Sequence, residues 1–377
     1  MIQRRLFSIG AGTALLTGFR TARAQNEGKI ILGQSAAFTG PAAQLGIQFY
    51  QGAKVLFDQV NAQGGVGRRL IEIRKLDDGY EPDRCADNTR RLIEEDVFAL
   101  FGYIGTPTSL AALPLATRAR IPFIAPFTGA MALREPFNRY AFHVRASYND
   151  ETALIVRQLT NLGLKKIAVF RQNDSYGKAG LDGVTLALSG LNLKPVAQAT
   201  VERNSVDVDA AVKTIVAAAP DAVVQISAYK SCAAFIRAAR KAGYGGTFYN
   251  VSFVGTQALA DELGKEAAGV VVSQVIPSPY NAASPLTREF VDAVKKAGGA
   301  AHANFSSMEG YLAAKVLVEG LKRASSRTLT RDSLMSGLES LSNQRFGGFS
   351  VSFSPKNHVA SSFVEASMLT GDGRVRT

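Results

Sequence analysis

Cysteine and histidine are scarce in this sequence, with two of the one and three of the other among 377 residues. Cys85 and Cys232 lie far apart in the chain, and sequence cannot show that they meet, so both are expected as free packing residues. His143, His302 and His358 have no metal-ligand spacing and no Cys–His zinc pattern, so no metal is expected. No serine sits in a G-x-S-x-G elbow and no P-loop is present, which counts against common hydrolase and nucleotide-binding chemistries. A basic block interleaved with aromatics is also missing. Lys and Arg are scattered among Asp and Glu, so the formal charge of +12 reads as a basic surface and not as a nucleic-acid site. There is no low-complexity tail, and no cofactor is expected.

What is present is globular: 46% hydrophobic and 20% charged residues, over a length that calls for two lobes. The first residues read as a targeting signal. Arg4 and Arg5 precede an apolar run from Leu6 to Phe19, too short to span a bilayer, and Ala22-Arg23-Ala24 is an A-x-A cleavage site. The Arg-Arg-Leu-Phe run fits a twin-arginine signal, and an ordinary secretory signal fits equally. Cleavage after Ala24 removes four arginines and lowers the formal charge to +8. The expected location is the periplasm.

Beyond the leader, apolar strands alternate with helical patterns. KIILGQ (29–34) reads as a strand, followed by the loop AAFTGP and a helix from Ala42 to Asn61. Gly64-Gly65-Val66-Gly67 follows a helix and lacks dinucleotide-loop spacing, so it is a helix-ending turn. Arg69–Leu76 is a strand, and Asp77-Asp78 is expected to form its end turn and cap the helix Pro82–Glu95. Val97–Tyr103 is the third strand and Phe142–Ser147 another. The rhythm then restarts with strands at 165–172, 195–201, 222–226, 247–251 and 269–275. Between them lie helices at Val208–Ala218, with Asp207 as N-cap, and Ser231–Ala242. Helices at Leu286–Ala297, Ser307–Ala324 and Thr330–Leu341 and a β-rich end from Phe346 complete the chain. The fold class is α/β, with two doubly wound Rossmann-like lobes.

Residues 101–130, FGYIGTPTSLAALPLATRARIPFIAPFTGA, form half of a candidate ligand cleft. Two apolar strands each end in small hydroxyl loops, Gly105-Thr106-Pro107-Thr108 and Phe127-Thr128-Gly129. In an open parallel sheet such ends collect backbone N–H groups and helix N-termini.

GQSAAFTGPAAQLGIQFYQGAKVLFDQVNAQGGVGRRLIEI, LDDGYEPDRCADNTRRLIEEDVFALFG, IPFIAPFTGA, NDSYG, IRAARKAGY and EGYLAAKVLVEGL occur in an order that resembles the type I periplasmic binding proteins. That family includes the leucine/isoleucine/valine-binding proteins of ABC importers, and the resemblance spans nearly all of 29–377. It implies two lobes joined by three hinge crossovers, near Arg145–Ala146, Gln274–Ile276 and Arg345–Phe346. Lobe 1 is then 25–145 and 275–345, lobe 2 is 146–274, and 346–377 belongs mainly to lobe 2. The implied partners are a small carboxylate ligand and permease subunits in the inner membrane; the protein is expected as a monomer and not as an enzyme.

The resemblance also implies a site. The loops at Gly105–Thr106 and Thr128–Gly129 correspond to those that hold a ligand carboxylate. Tyr176 matches a tyrosine that packs on the ligand from lobe 2, and Ser227–Tyr229 a cleft-lining loop. Phe38, Tyr103, Phe127, Tyr176, Tyr229 and Phe253 are candidate aromatic walls. Four positions depart from the pattern. The carboxylate that holds an ammonium is replaced by Ser252, a wall tryptophan by Leu45, and a disulfide pair by Tyr80 and Gly105. A buried ammonium without an anionic partner costs several kcal/mol, on the order of the penalty for any unpaired buried charge. An aromatic or aliphatic organic acid is therefore expected ahead of an α-amino acid, although Asp174 is a nearby acid able to take the missing role. Branched-chain amino-acid binding, a ligand-sensing receptor subunit and an exported α/β enzyme are the alternatives.

Overall fold

The computed structural model describes residues 28–298, 302–324 and 328–377; the leader expected at 1–24 lies outside them. The chain opens with β1 (Lys29–Ala36), α1 (Ala43–Ala62), β2 (Leu70–Asp77), α2 (Pro82–Glu94), β3 (Ala99–Phe101), α3 (Thr106–Ala119), β4 (Phe123–Ile124) and β5 (Ala141–Phe142). These strands form one parallel sheet in the order β2-β1-β3-β4-β5. Seven of the eight residues of β1 are buried, as a strand covered on both faces by helices requires.

The second lobe runs through α4 (Tyr148–Asn161), β6 (Ile167–Gln172), α5 (Ser175–Ser189), β7 (Ala197–Val201), α6 (Asp209–Ala217), β8 (Ala222–Ile226), α7 (Tyr229–Lys241), β9 (Thr247–Asn250), α8 (Thr256–Leu263) and β10 (Val271–Gln274). The chain then returns to the first lobe as α9 (Pro285–Lys296), α10 (Phe305–Ala324), α11 (Arg331–Glu339) and the hairpin β11 (Gln344–Phe346) and β12 (Phe349–Val351). It ends in β13 (Glu365–Leu369) and β14 (Val375–Arg376), which extend the second sheet on the antiparallel side of β10.

Helix α10 is drawn hard against α1. A Cβ on Gly52 would lie 1.7 Å from the Ser307 carbonyl oxygen, and one on Gly310 would lie 2.0 Å from that of Phe49. Two glycines thus let the helix backbones touch, and this contact sets Glu309 beside the cleft.

The first passage between lobes, 143–147, is irregular, with a bend at Arg145, so the expected strand Phe142–Ser147 reduces to Ala141–Phe142. It ends at Ser147, whose hydroxyl accepts from the Asp150 N–H while the Asp150 carboxylate accepts from the Ser147 N–H, closing a capping box on α4. The third passage falls later than expected. Arg345 and Phe346 lie in the hairpin, which stays with lobe 1: Phe353 N–H donates to the Leu341 carbonyl at 2.7 Å. The crossing comes between Ala360 and β13. It begins beside the first passage, where His143 N–H donates to His358 O and Ala360 N–H to His143 O, each at 2.8 Å.

Two expected caps differ. Asp207 lies outside α6, whose N-cap is Val208. Asp77 and Asp78 do not cap α2. Asp77 instead accepts from the N–H groups of Phe38, Thr39 and Gly79, and Asp78 from Ser35 Oγ and the Tyr80 N–H. Both carboxylates fasten the loops that follow β1 and β2.

Candidate functional site

The carboxyl ends of β3 and β4 face the second lobe. Gly105 is the N-cap of α3 at φ 98°, and its missing Cβ leaves room for the Tyr80 ring, whose Cε2 would lie 2.2 Å away. The two positions of the absent disulfide are therefore still in contact, as ring on glycine. Thr106 opens α3, and its hydroxyl lies 2.6 Å from that of Thr128, with both side chains buried. Thr128 Oγ1 also accepts from the Ala130 N–H at 3.2 Å. Gly129 gives space to Tyr148, whose N–H donates to the Gly129 carbonyl at 2.8 Å.

The opposing wall is aromatic. The Phe253 ring centroid lies 4.6 Å from Tyr176, 5.7 Å from Phe127 and 5.8 Å from Tyr80, and Tyr176 is 5.4 Å from Tyr148. The cluster joins side chains of both lobes. Tyr148 and Tyr176 are buried, and neither hydroxyl has a hydrogen-bond partner among the described residues. Ser227 Oγ is in the same condition, behind Tyr229, which faces the Gln44 backbone of α1. Leu45 packs on Gly255 from across the cleft.

At the hinge three ionisable groups are buried together. The Arg145 guanidinium lies 4.5 Å from the centroid of the Phe127 ring. Its Nε is 3.2 Å from Glu309 Oε1, one Nη donates to Ser252 Oγ, and the other, Nη1, has no partner among the described residues. Glu151 is fully buried and accepts from Ser252 N–H at 2.7 Å, Ser252 Oγ at 3.0 Å and Ser273 Oγ at 2.5 Å. Burial pushes the Glu309 carboxyl up to about 7, Arg145 pulls it down, and Glu151 adds to the rise. Burial raises Glu151 too, against Arg145 and the serine donors. Burial works to lower the Arg145 guanidinium, but Glu309 and Glu151 keep it above its ordinary value.

The structure therefore brings together Gly105, Thr106, Phe127, Thr128, Gly129, Tyr176, Ser252 and Phe253, with Ser227 buried in lobe 2 and Tyr229 meeting α1 of lobe 1. Two expected wall residues stand elsewhere. Tyr103 lies in the packing behind the lobe 1 sheet, its hydroxyl 3.1 Å from Thr89 Oγ1 and its ring on Phe123. Gly102, at φ 65°, turns the chain before it. Phe38 packs on Tyr50 with Lys75 over its ring, and none of its ring contacts reach the central cluster. Asp174 is occupied: it caps α5, accepting from the Tyr176 and Gly177 N–H groups, and is also bonded to Gln172 and Arg203.

Arg145, Tyr148, Glu151, Tyr80 and Glu309 are the additions that sequence did not assign to the site. Around the mouth, lobe 2 reaches lobe 1 through Arg203 to Glu81 at 2.8 Å, Asn204 to the Gly79 carbonyl at 3.0 Å, and Gln172 to Tyr80 at 3.2 Å. A surface groove of about 1020 Å³ lined by Lys29, Phe98, Arg139 and Arg331 lies at the amino ends of the lobe 1 strands. Ligands of open α/β sheets bind at the carboxyl ends, so the interlobe site is the stronger candidate. Among the described residues no group of three or more His, Cys, Asp or Glu is placed to hold a metal, and no helix is long and apolar enough to cross a membrane.

A family model described as periplasmic binding protein matches residues 29–369. The chain is 27% identical to the Leu/Ile/Val-binding protein homolog 7 of Brucella suis over 330 residues, covering 82% of this chain and 80% of the relative. A solved structure of a possible leucine/isoleucine/valine-binding protein from Rhodopirellula baltica superposes with a TM-score of 0.86 at 34% identity, over 93% of this chain and 96% of the other. A substrate-binding periplasmic protein from Ralstonia solanacearum gives 0.87 at 28% identity, over 92% and 99%.

Proposed function

This chain belongs to the periplasmic binding protein family, and from that premise we propose that it captures a small carboxylate-bearing ligand between its lobes and delivers it to the permease of an ABC importer. It acts in the periplasm as a monomer and binds without turnover. Thr106 and Thr128 hold one carboxylate oxygen through their hydroxyls, and Phe127, Tyr176 and Phe253 pack on the ligand body. Closure of the lobes about the three passages then removes the ligand from water.

The ligand is an aromatic or aliphatic organic acid in preference to a plain α-amino acid. The observation that carries this is Arg145: a buried guanidinium bonds to Ser252, at the corner where an ammonium-binding acid is replaced. A second cation brought there would be repelled, while Nη1 and the two tyrosine hydroxyls are donors suited to a carboxylate.

One observation favours the second reading, a branched-chain or other amino acid. Glu151 meets Ser252 through two hydrogen bonds, so an acid does stand near that corner. The names of the similar proteins from Brucella and Rhodopirellula point the same way. A ligand-sensing receptor subunit would use the same cleft with a different partner. The test is mass spectrometry of the ligand released from the purified protein by denaturation. An organic acid without an amine is expected; a stoichiometric amino acid overturns the preference.

A further inference from the structure

Around the hinge the buried charges include two guanidiniums, Arg134 and Arg145, and two carboxylates, Glu151 and Glu309, and Arg134 gives its donors to backbone carbonyls. Arg145 pairs with one of these carboxylates, Glu309, and acts on the other, Glu151, through its charge alone, so the two are unequally held. Glu151 has three hydrogen bonds from Ser252 and Ser273. Glu309 has the guanidinium of Arg145 as its charge partner at 3.2 Å. The charged groups that influence Glu309 are Arg145 from the first passage and Glu151 from α4; α1, α8 and α11, which also pack on α10, contribute none. Arg145 still has Nη1 free of partners among the described residues, and the unpartnered hydroxyls of Tyr148 and Tyr176 belong to the same buried cluster.

An anionic ligand entering beside Arg145 would share the guanidinium that pairs with Glu309, leaving an excess of negative charge around it. In a low-dielectric interior that excess is costly, and the least expensive remedy is to neutralise the carboxylate with fewest donors. We propose that Arg145 is the charge partner of the ligand carboxylate, and that Glu309 takes up one proton as the ligand binds. This rests on the reading that a carboxylate ligand enters between the lobes. It makes Arg145 and Glu309 specificity-determining residues: together they accept an anion and disfavour a zwitterion. The ammonium of a zwitterion would instead keep Glu309 ionised.

The position of Glu309 suits this role. It stands on α10 of lobe 1, while Ser252 and Glu151 lie in lobe 2, and Arg145 spans them from the hinge. Burial, opposed by Arg145 and aided by Glu151, leaves the Glu309 carboxyl near the midpoint of its titration at neutral pH, so the proton is available without a large penalty.

The test is isothermal titration calorimetry with 4-methyl-2-oxopentanoate and phenylacetate, each beside its amino-acid counterpart, L-leucine and L-phenylalanine. It is run from pH 6 to pH 9 in two buffers of different ionisation enthalpy. For an acid that binds, the heat should differ between buffers at pH 8 by close to one proton taken up. Its apparent affinity should fall about tenfold per pH unit above 7 and level off below. Glu309→Gln should remove both the proton uptake and the slope, so that at pH 9 it binds the acid more tightly than the parent. Arg145→Met should lose acid binding; if that variant does not fold, Glu309→Gln carries the test. Binding of an acid with no proton uptake at pH 8, or a slope that survives Glu309→Gln, overturns this proposal and leaves carboxylate capture standing. Tighter binding of the amino acids than of the acids also overturns it. If no probe of either kind binds at any pH, carboxylate capture falls for these ligands, and this proposal falls with it.

Discussion

The hydroxyl oxygens of Thr106 and Thr128 lie 2.6 Å apart at the ends of adjacent parallel strands, both buried. Two hydroxyls so close share one hydrogen and leave the other to donate outward, which is the arrangement a carboxylate oxygen requires. Thr106→Ala and Thr128→Ala should each weaken ligand binding by roughly ten- to a hundredfold, the range for a hydrogen bond to a charged group. Because the two act on each other, the double variant should lose less than the two single losses combined. A double-mutant cycle on the co-purified ligand measures that coupling.

Tyr80 and Gly105 make a second prediction. Gly105→Ala places a Cβ 2.2 Å from the Tyr80 ring and asks a side chain to tolerate φ 98°. It should destabilise the protein by about 1–3 kcal/mol. The variant Gly105→Ala/Tyr80→Ala should not recover that loss fully, because the backbone strain remains when the clash is gone. Urea unfolding of the three proteins separates the two causes.

Much of this architecture is legible in the sequence, and the exceptions have physical reasons. Helices such as Pro82–Glu94 and Pro285–Lys296 fall within a residue or two of their expected spans, because apolar periodicity and proline at the first turn mark them. Tyr103 could not be placed by strand alternation, since Gly102 at φ 65° breaks the period immediately before it. Phe38 depends on Asp77, whose hydrogen bonds to the Phe38 and Thr39 N–H groups fix a loop that sequence leaves free. Arg145 was visible as a hinge residue, but its partner Glu309 lies on a helix of the returning segment. No local pattern couples the two.

The contacts at the mouth should govern how long a ligand stays. Arg203 pairs with Glu81 across the lobes, with side chains 24% and 41% exposed, so the pair is worth at most about 1 kcal/mol. Arg203→Ala should therefore raise the ligand dissociation rate by up to about fivefold and leave the fold intact. Stopped-flow displacement measures this, and an unchanged rate would place the latch elsewhere.

The ligand-free protein should lose stability as the pH rises from mildly acid to just past neutral. Burial raises the Glu309 carboxyl to about 7 and that of Asp78 to about 6, above the ordinary carboxyl range. A carboxyl raised by folding contributes stability that is complete below its unfolded value near 4. That contribution is lost as pH rises through the folded value. Asp77 has the opposite sign: burial alone would raise it, but its hydrogen bonds from Thr39, Phe38 and Gly79 hold it near 2, so its contribution is lost only in acid. The melting temperature should fall between pH 5 and pH 8, and Glu309→Gln should flatten the upper part of that fall. Scanning calorimetry across this range checks both.

The central claim is that the cleft recognises a carboxylate. The most direct measurement is the melting temperature of the protein with the co-purified ligand, once identified, and with the primary amide of the same molecule. The acid should raise the melting temperature in proportion to the logarithm of its concentration. The amide should leave it unchanged at the same concentrations. An amide that stabilises as well as the acid would contradict the account.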